Sequence, residues 1–176
     1  MIRFVRSACR RLWHSPLSTK FFVLGLLLLS ACSSIECPVQ NTVYTVYKIT
    51  DGSEVVDTLK DTISVWSVRN NGTDTLFLYN RGTALTSFNL PISYSCPEDT
   101  LFFLLWKGSF ASLDTVWIKK EDIPHFESVD CNASFFHEIT AVRTTHHGID
   151  TLIINKRTVD YDPRTAHFYI RFKAHD

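Results

Sequence analysis

The side chains of this chain able to carry chemistry are seven histidines, five cysteines and 18 carboxylates, and their spacing limits what they can do. His137-Glu138 begins like a zinc-protease helix. Ala141, however, stands where the second histidine is needed, and the surrounding residues read as strand. His146 and His147 are neighbours, so on a strand they point to opposite faces and do not share a metal. His125, His137 and His167 are scattered, which fits solvated or hydrogen-bonded side chains better than zinc ligands. Asp160-Tyr161-Asp162-Pro163 lacks the spacing and closing glutamate of a calcium loop. There is no Cys-x-x-Cys, no phosphate-cradling glycine loop and no nucleophile elbow. The acid pairs Glu98-Asp99 and Glu121-Asp122 fall in expected turns and read as solvated. No enzyme is expected, and no metal or other cofactor.

One cysteine stands in a pattern of its own. Cys32 ends Leu29-Ser30-Ala31-Cys32, after an apolar run from Phe21 to Leu29 and a stretch carrying Arg3, Arg6, Arg10, Arg11 and Lys20. A basic start, a short apolar core and a small-residue exit make a secretion signal. The run is too short to span a bilayer, which takes ~20 residues. The tetrapeptide resembles the lipobox of bacterial lipoproteins. That resemblance implies cleavage between Ala31 and Cys32 and a diacylglycerol on the Cys32 sulfur, with two or three acyl chains holding the protein on a membrane. Residues 1–31 are then a signal peptide, 32–40 a lipidated tether and 41–176 a single domain. Ser33, where an aspartate would retain a lipoprotein at the inner membrane, favours the outer membrane. The single acid in Ser33-Ser34-Ile35-Glu36 favours its periplasmic face.

Five of the 18 basic residues lie in the leader, so the remainder carries 13 against 18 acids, a net charge of −5. It has no basic stripe for nucleic acid. Cys37, Cys96 and Cys131 follow the tether cysteine in a compartment that permits disulfides. Three pairings are open. Cys37 with Cys131 is favoured because it closes a long loop, worth roughly 4 kcal/mol in chain entropy, and leaves Cys96 as the remaining thiol.

The elements that must position these groups read as strands throughout. Thr42 to Ile49 is dense in β-branched and aromatic residues. Asp51-Gly52 turns into an expected strand from Glu54 to Leu59, and Asn70-Asn71-Gly72 joins Thr62–Val68 to Thr75–Tyr79 as a hairpin. Asn80-Arg81-Gly82 is the next break, and Pro91 keeps Thr86–Ile92 at an edge or ends it. Thr100 to Trp106 is apolar on both faces and is expected to be buried on both. In Thr115 to Lys119, Val116 and Ile118 point one way and Thr115, Trp117 and Lys119 the other. Phe126–Val129, Phe135–Thr145 and Ile149–Ile154 follow. The last stretch puts Ala166, Phe168, Ile170 and Phe172 inward and His167, Tyr169, Arg171 and Lys173 outward. Short strands punctuated every ~8–12 residues predict an all-β antiparallel sandwich of immunoglobulin-like architecture.

Asp-Thr followed by Leu, Ile or Val occurs six times, with threonines 58, 62, 75, 100, 115 and 151. Its local reading is a turn closed by aspartate ahead of a strand begun by threonine. The tripeptide also resembles the O-glycosylation sequon of a large group of gut and oral Gram-negative bacteria, which makes Thr58, Thr62, Thr75, Thr100, Thr115 and Thr151 candidate glycan sites. Trp117 shares its face with polar Thr115 and Lys119 and is a candidate stacking platform for sugar or peptide. Trp66 and Trp106 read as core.

Glu36-Cys37-Pro38, Phe88-Asn89-Leu90-Pro91 with Ser93-Tyr94, Pro124 to Cys131 and Phe136 to Val142 together resemble a family of small lipoproteins built on a domain of unknown function, from the same bacterial group. The resemblance covers nearly the whole mature chain. It implies the Cys37–Cys131 pairing and the glycan sites, and it carries no catalytic residue. The expected role is a lipid-anchored envelope protein that contacts another envelope protein. The alternative is a glycan- or peptide-binding module.

Overall fold

The computed structural model describes residues 42–51, 54–68 and 75–174. They form ten strands and no helix: β1 Tyr44–Ile49, β2 Thr62–Val68, β3 Thr75–Gly82, β4 Ser87–Pro91, β5 Glu98–Lys107, β6 Phe110–His125, β7 Ser134–Thr144, β8 Ile149–Ile154, β9 Thr158–Val159 and β10 Phe168–Phe172. All lie in one compact unit, Cys37–Asp176. A four-stranded sheet, β4-β1-β10-β8, packs on a six-stranded one, β3-β2-β5-β6-β7-β9, so the chain is an all-β sandwich. The pairings are antiparallel except that β1, the first strand, runs parallel to β10, the last. The layering is that of an immunoglobulin-type sandwich, with a strand order of its own.

Period-two alternation supplies the core. Ile63 and Val65 on β2, Leu101, Phe103 and Leu105 on β5, and Val116 and Ile118 on β6 face Ile49, Phe88, Leu90 and Ile170 of the other sheet. Tyr47 on β1 centres the cluster. Its ring stacks on Phe88 at 5.0 Å and Phe168 at 4.8 Å, and meets Phe103 across the sheets at 6.0 Å. Emptying such a position, as in Phe103→Ala, costs about 3–5 kcal/mol.

Several strands run as the residue pattern predicts. β2 pairs antiparallel with β3, while the turn between them lies outside the described residues. β4 is an edge strand that ends at Pro91. Val116 and Ile118 are buried, and Thr115, Trp117 and Lys119 share the other face.

Other expectations fail for reasons of long-range packing. The segment from Glu54 to Leu59 is no strand; its chain makes only the isolated bridges Thr50↔Val56 and Leu59↔Leu85. Phe126–Val129 is a loop, and Val129 is 99% exposed. His167 is fully buried rather than outward, because its Nδ1 accepts the Val46 amide at 2.9 Å and so replaces a rung between β1 and β10. β5 is buried on one face alone. Its other face, carrying Phe102, Leu104 and Trp106, is the outside of the six-stranded sheet. Trp66 is accordingly half-buried and Trp106 is 48% exposed, so neither tryptophan belongs to the core.

Candidate functional site on the outer face of the six-stranded sheet

The register of β3, β2 and β5 puts Phe77, Trp66 and Phe102 in one row across this outer face. Their rings form a continuous strip: Trp66 stacks on Phe102 at 5.8 Å and tilts against Phe77 at 6.0 Å. Two residues further along β5, the pleat brings out Leu104, and two further on, Trp106. β5 then turns into β6 through Gly108-Ser109, with Lys107 paired to Phe110. The positive φ of 57° at Gly108 is what a two-residue hairpin of this kind needs. Leu113 of β6, paired with Leu104, extends the same face and is 46% exposed, whereas Phe110, paired with Lys107, falls on the opposite side. An apolar surface of this extent, uncovered by any described residue, is characteristic of an interaction site.

A β-bulge makes one side of this face polar. Ile63 pairs with Gly82 and Val65 with Tyr79, so two steps on β2 oppose three on β3. The extra residue lies at Asn80-Arg81, and Arg81 takes a left-handed φ of 53°, a conformation unfavourable for any residue but glycine. Ser64 closes the bulge, its Oγ accepting the Arg81 amide at 3.0 Å and donating to Asn80 Oδ1 at 3.4 Å. Gly82 is required beside it, since a Cβ there would lie 2.2 Å from the Tyr79 ring. The result is a groove of about 520 Å³ floored by Ser64, Trp66, Leu104 and Trp106 and walled by Phe77, Asn80 and Arg81. Among the described residues, no carboxylate lines it.

Trp117, the aromatic singled out from sequence, is half-buried on the same face. The Arg143 guanidinium lies 4.2 Å from its ring centroid and donates to Glu98 at 3.0 Å. This cation–π contact occupies one face of the ring, so the open aromatic surface lies at Phe77 and Trp106.

The titratable groups act as scaffold. Asp114 is fully buried; its Oδ1 accepts from Thr145 Oγ1 at 2.8 Å and the His147 amide at 2.5 Å, and its Oδ2 from the Gly148 and Ile149 amides at 2.6 and 2.7 Å. Burial alone would push its carboxyl up, but the four hydrogen bonds together hold it below the usual range. Lys120 is buried beneath the 92–97 turn, where its Nζ donates to the Cys96 carbonyl at 2.5 Å and faces Asp122 at 3.4 Å and Asp99 at 3.9 Å. Burial raises the Asp99 carboxyl. His137 Nδ1 lies 2.7 Å from Asp122, and burial, opposed by that contact, lowers its imidazole. Neither acid pair is therefore simply solvated: Asp99 and Asp122 are structural partners within strands β5 and β6. His125 stacks on Phe136 at 4.2 Å, and His146 and His147 sit in a loop rather than a strand. Among the described residues, no three or more His, Cys, Asp or Glu side chains are grouped to hold a metal.

The repeated aspartates do not all close local turns. Asp99 accepts the Ser93 amide behind it, Asp114 staples a loop more than thirty residues ahead, and Asp150 pairs with Arg171. Thr58 and Thr75 are exposed, whereas Thr62, Thr100, Thr115 and Thr151 are half-buried. Cys131 is disulfide-bonded. Ala31, Cys32 and Cys37 lie outside the described residues. The aromatic groove itself escaped the sequence reading, although the two-sided apolar pattern of β5 was its signal: one of those faces had to be covered or used.

Fold and site thus define a β-sandwich domain with an aromatic outer face and a polar bulge at its side. The chain belongs to a family of unknown function, DUF6452, whose pattern matches residues 62–172, from β2 to the end of β10. No curated protein and no solved structure matches the chain.

Proposed function

We propose that this protein is a lipid-anchored, non-catalytic component of the cell envelope whose working surface is the outer face of the six-stranded sheet. The observation that carries the surface is the exposed aromatic strip running from Phe77 across Trp66 to Trp106, with Leu113 beside Leu104. The anchor is supported by Leu29-Ser30-Ala31-Cys32 behind its basic and apolar leader, with cleavage before Cys32 and acylation of its sulfur. Ser33 supports an outer-membrane anchor, and the single acid of Ser33-Ser34-Ile35-Glu36 supports its periplasmic face. Cys37 is the proposed partner of Cys131, which joins the tether to the later half of the domain. Of the six candidate O-glycan sites, Thr58 and Thr75 have the exposure that a bulky glycan requires.

Labelled palmitate should enter the wild type and not Cys32→Ala, which should leave the membrane fraction. A photo-crosslinker at Leu113, on the same face, should capture an envelope component in intact cells, and Phe77→Ala with Trp106→Ala should abolish that capture. An unlabelled, soluble wild type would overturn the anchor. Capture that is indifferent to Phe77 and Trp106 would overturn the surface. The second reading, a glycan- or peptide-binding module, uses the same face, with its platform at Trp106 and Phe77 rather than at Trp117.

A further inference from the structure

The groove beside the β3 bulge selects among ligands by its chemistry. Its apolar parts are aromatic rings and one leucine, set along a pleated floor. β5 rises about 3.4 Å per residue, so the four steps from Phe102, on which Trp66 stacks, to Trp106 span about 13 Å. That is the reach of a short oligosaccharide rather than of one sugar. Flat rings separated this way suit pyranoses, whose C–H faces stack on aromatic surfaces while their hydroxyls stay wet.

The polar wall is one-sided. Arg81 enters none of the ion pairs among the described residues. Its guanidinium offers a planar fork of donors matched to a carboxylate or sulfate. Asn80 takes the Ser64 hydroxyl on its oxygen, which leaves its amide N–H groups to point outward as donors. Among the described residues, no acid lines the groove to neutralise them. A bulge that holds a non-glycine residue left-handed in order to aim that residue here is a device found at binding sites.

We infer that this groove binds an anionic oligosaccharide: pyranose rings lie over Phe77 and Trp106, and an acidic substituent is held by Arg81 with Asn80 beside it. This rests on the outer face being the working surface and names the ligand class it takes. The net charge of −5 after the leader disfavours indiscriminate polyanion binding, so binding of this kind must depend on Arg81.

The test is titration of the full-length protein, followed by tryptophan fluorescence and calorimetry, with three probes of equal length: an oligogalacturonate, a sulfated galactan and a neutral galactan. At least one acidic probe should bind tenfold or more tighter than the neutral one, with affinity falling as salt rises. The carboxylated and sulfated arms tell the two acidic groups apart. Arg81→Gln should erase the tenfold preference while keeping neutral binding, and Trp106→Ala should weaken every probe tenfold or more, both with unchanged thermal melting. Equal binding of acidic and neutral probes, or a preference that survives Arg81→Gln, overturns the anionic assignment. If Trp106→Ala still weakens binding, the working surface stands. No binding of any probe overturns the ligand class, and the Leu113 crosslink then decides the surface separately.

Discussion

Replacing Asp114 by alanine removes the acceptor for one hydroxyl and three backbone amides at once. Orphaned buried amides cost about 1–3 kcal/mol each, and relaxation of the 145–149 loop toward water brings three of them to the low end, about 3–5 kcal/mol in all. For a chain of this length that lowers the melting temperature by on the order of 10 °C. Asp114→Asn keeps the shape and one acceptor oxygen but turns an NH2 toward two donors, so it should recover less than half of the loss. The carboxyl is held below its ordinary pKa, so the contribution is full above about pH 4 and is lost as pH falls through the lowered value. Urea melts of the three proteins at pH 7 and pH 3 measure both effects. A loss below about 1 kcal/mol for alanine at pH 7, or a wild-type advantage that persists undiminished in acid, would refute the staple.

Gly82→Ala drives a Cβ to 2.2 Å from the Tyr79 ring, which is itself held 5.7 Å from Phe88, so stability should fall by about 1–3 kcal/mol in thermal melts. Burial lowers the imidazoles of both His137 and His167 from 6.5, so the unfolded chain binds protons first. Stability should be full above about pH 6.5 and decline below it toward the folded values, and a flat urea midpoint between pH 7.5 and 5.5 would contradict this. Cys131→Ser should cost roughly 4 kcal/mol if its loop closes to Cys37, and non-reducing peptide mapping should give a Cys37–Cys131 peptide and none containing Cys96.

The strands of the inner faces were legible because their information is local. Val116 and Ile118, or Phe168 and Ile170, alternate with polar neighbours, and a period of two can satisfy only one buried face. The two faces of β5 were not separable: Phe102, Leu104 and Trp106 are as apolar as Leu101, Phe103 and Leu105, and only the position of the second sheet says which set is covered. His167 and Asp99 were misread because their partners, Val46 and Lys120, lie far off in the chain.

What the residue order determined by itself is an acidic, all-β chain, since hydrophobic period and turn residues each act over a few neighbours. Only the tertiary structure decided that β1 pairs parallel with β10, that Trp66 and Trp106 face outward, and that a bulge at Asn80-Arg81 sets a guanidinium beside them. Those outcomes follow from which sheet covers which face and from one extra residue in a ladder, and both are fixed by contacts between segments that no local pattern records.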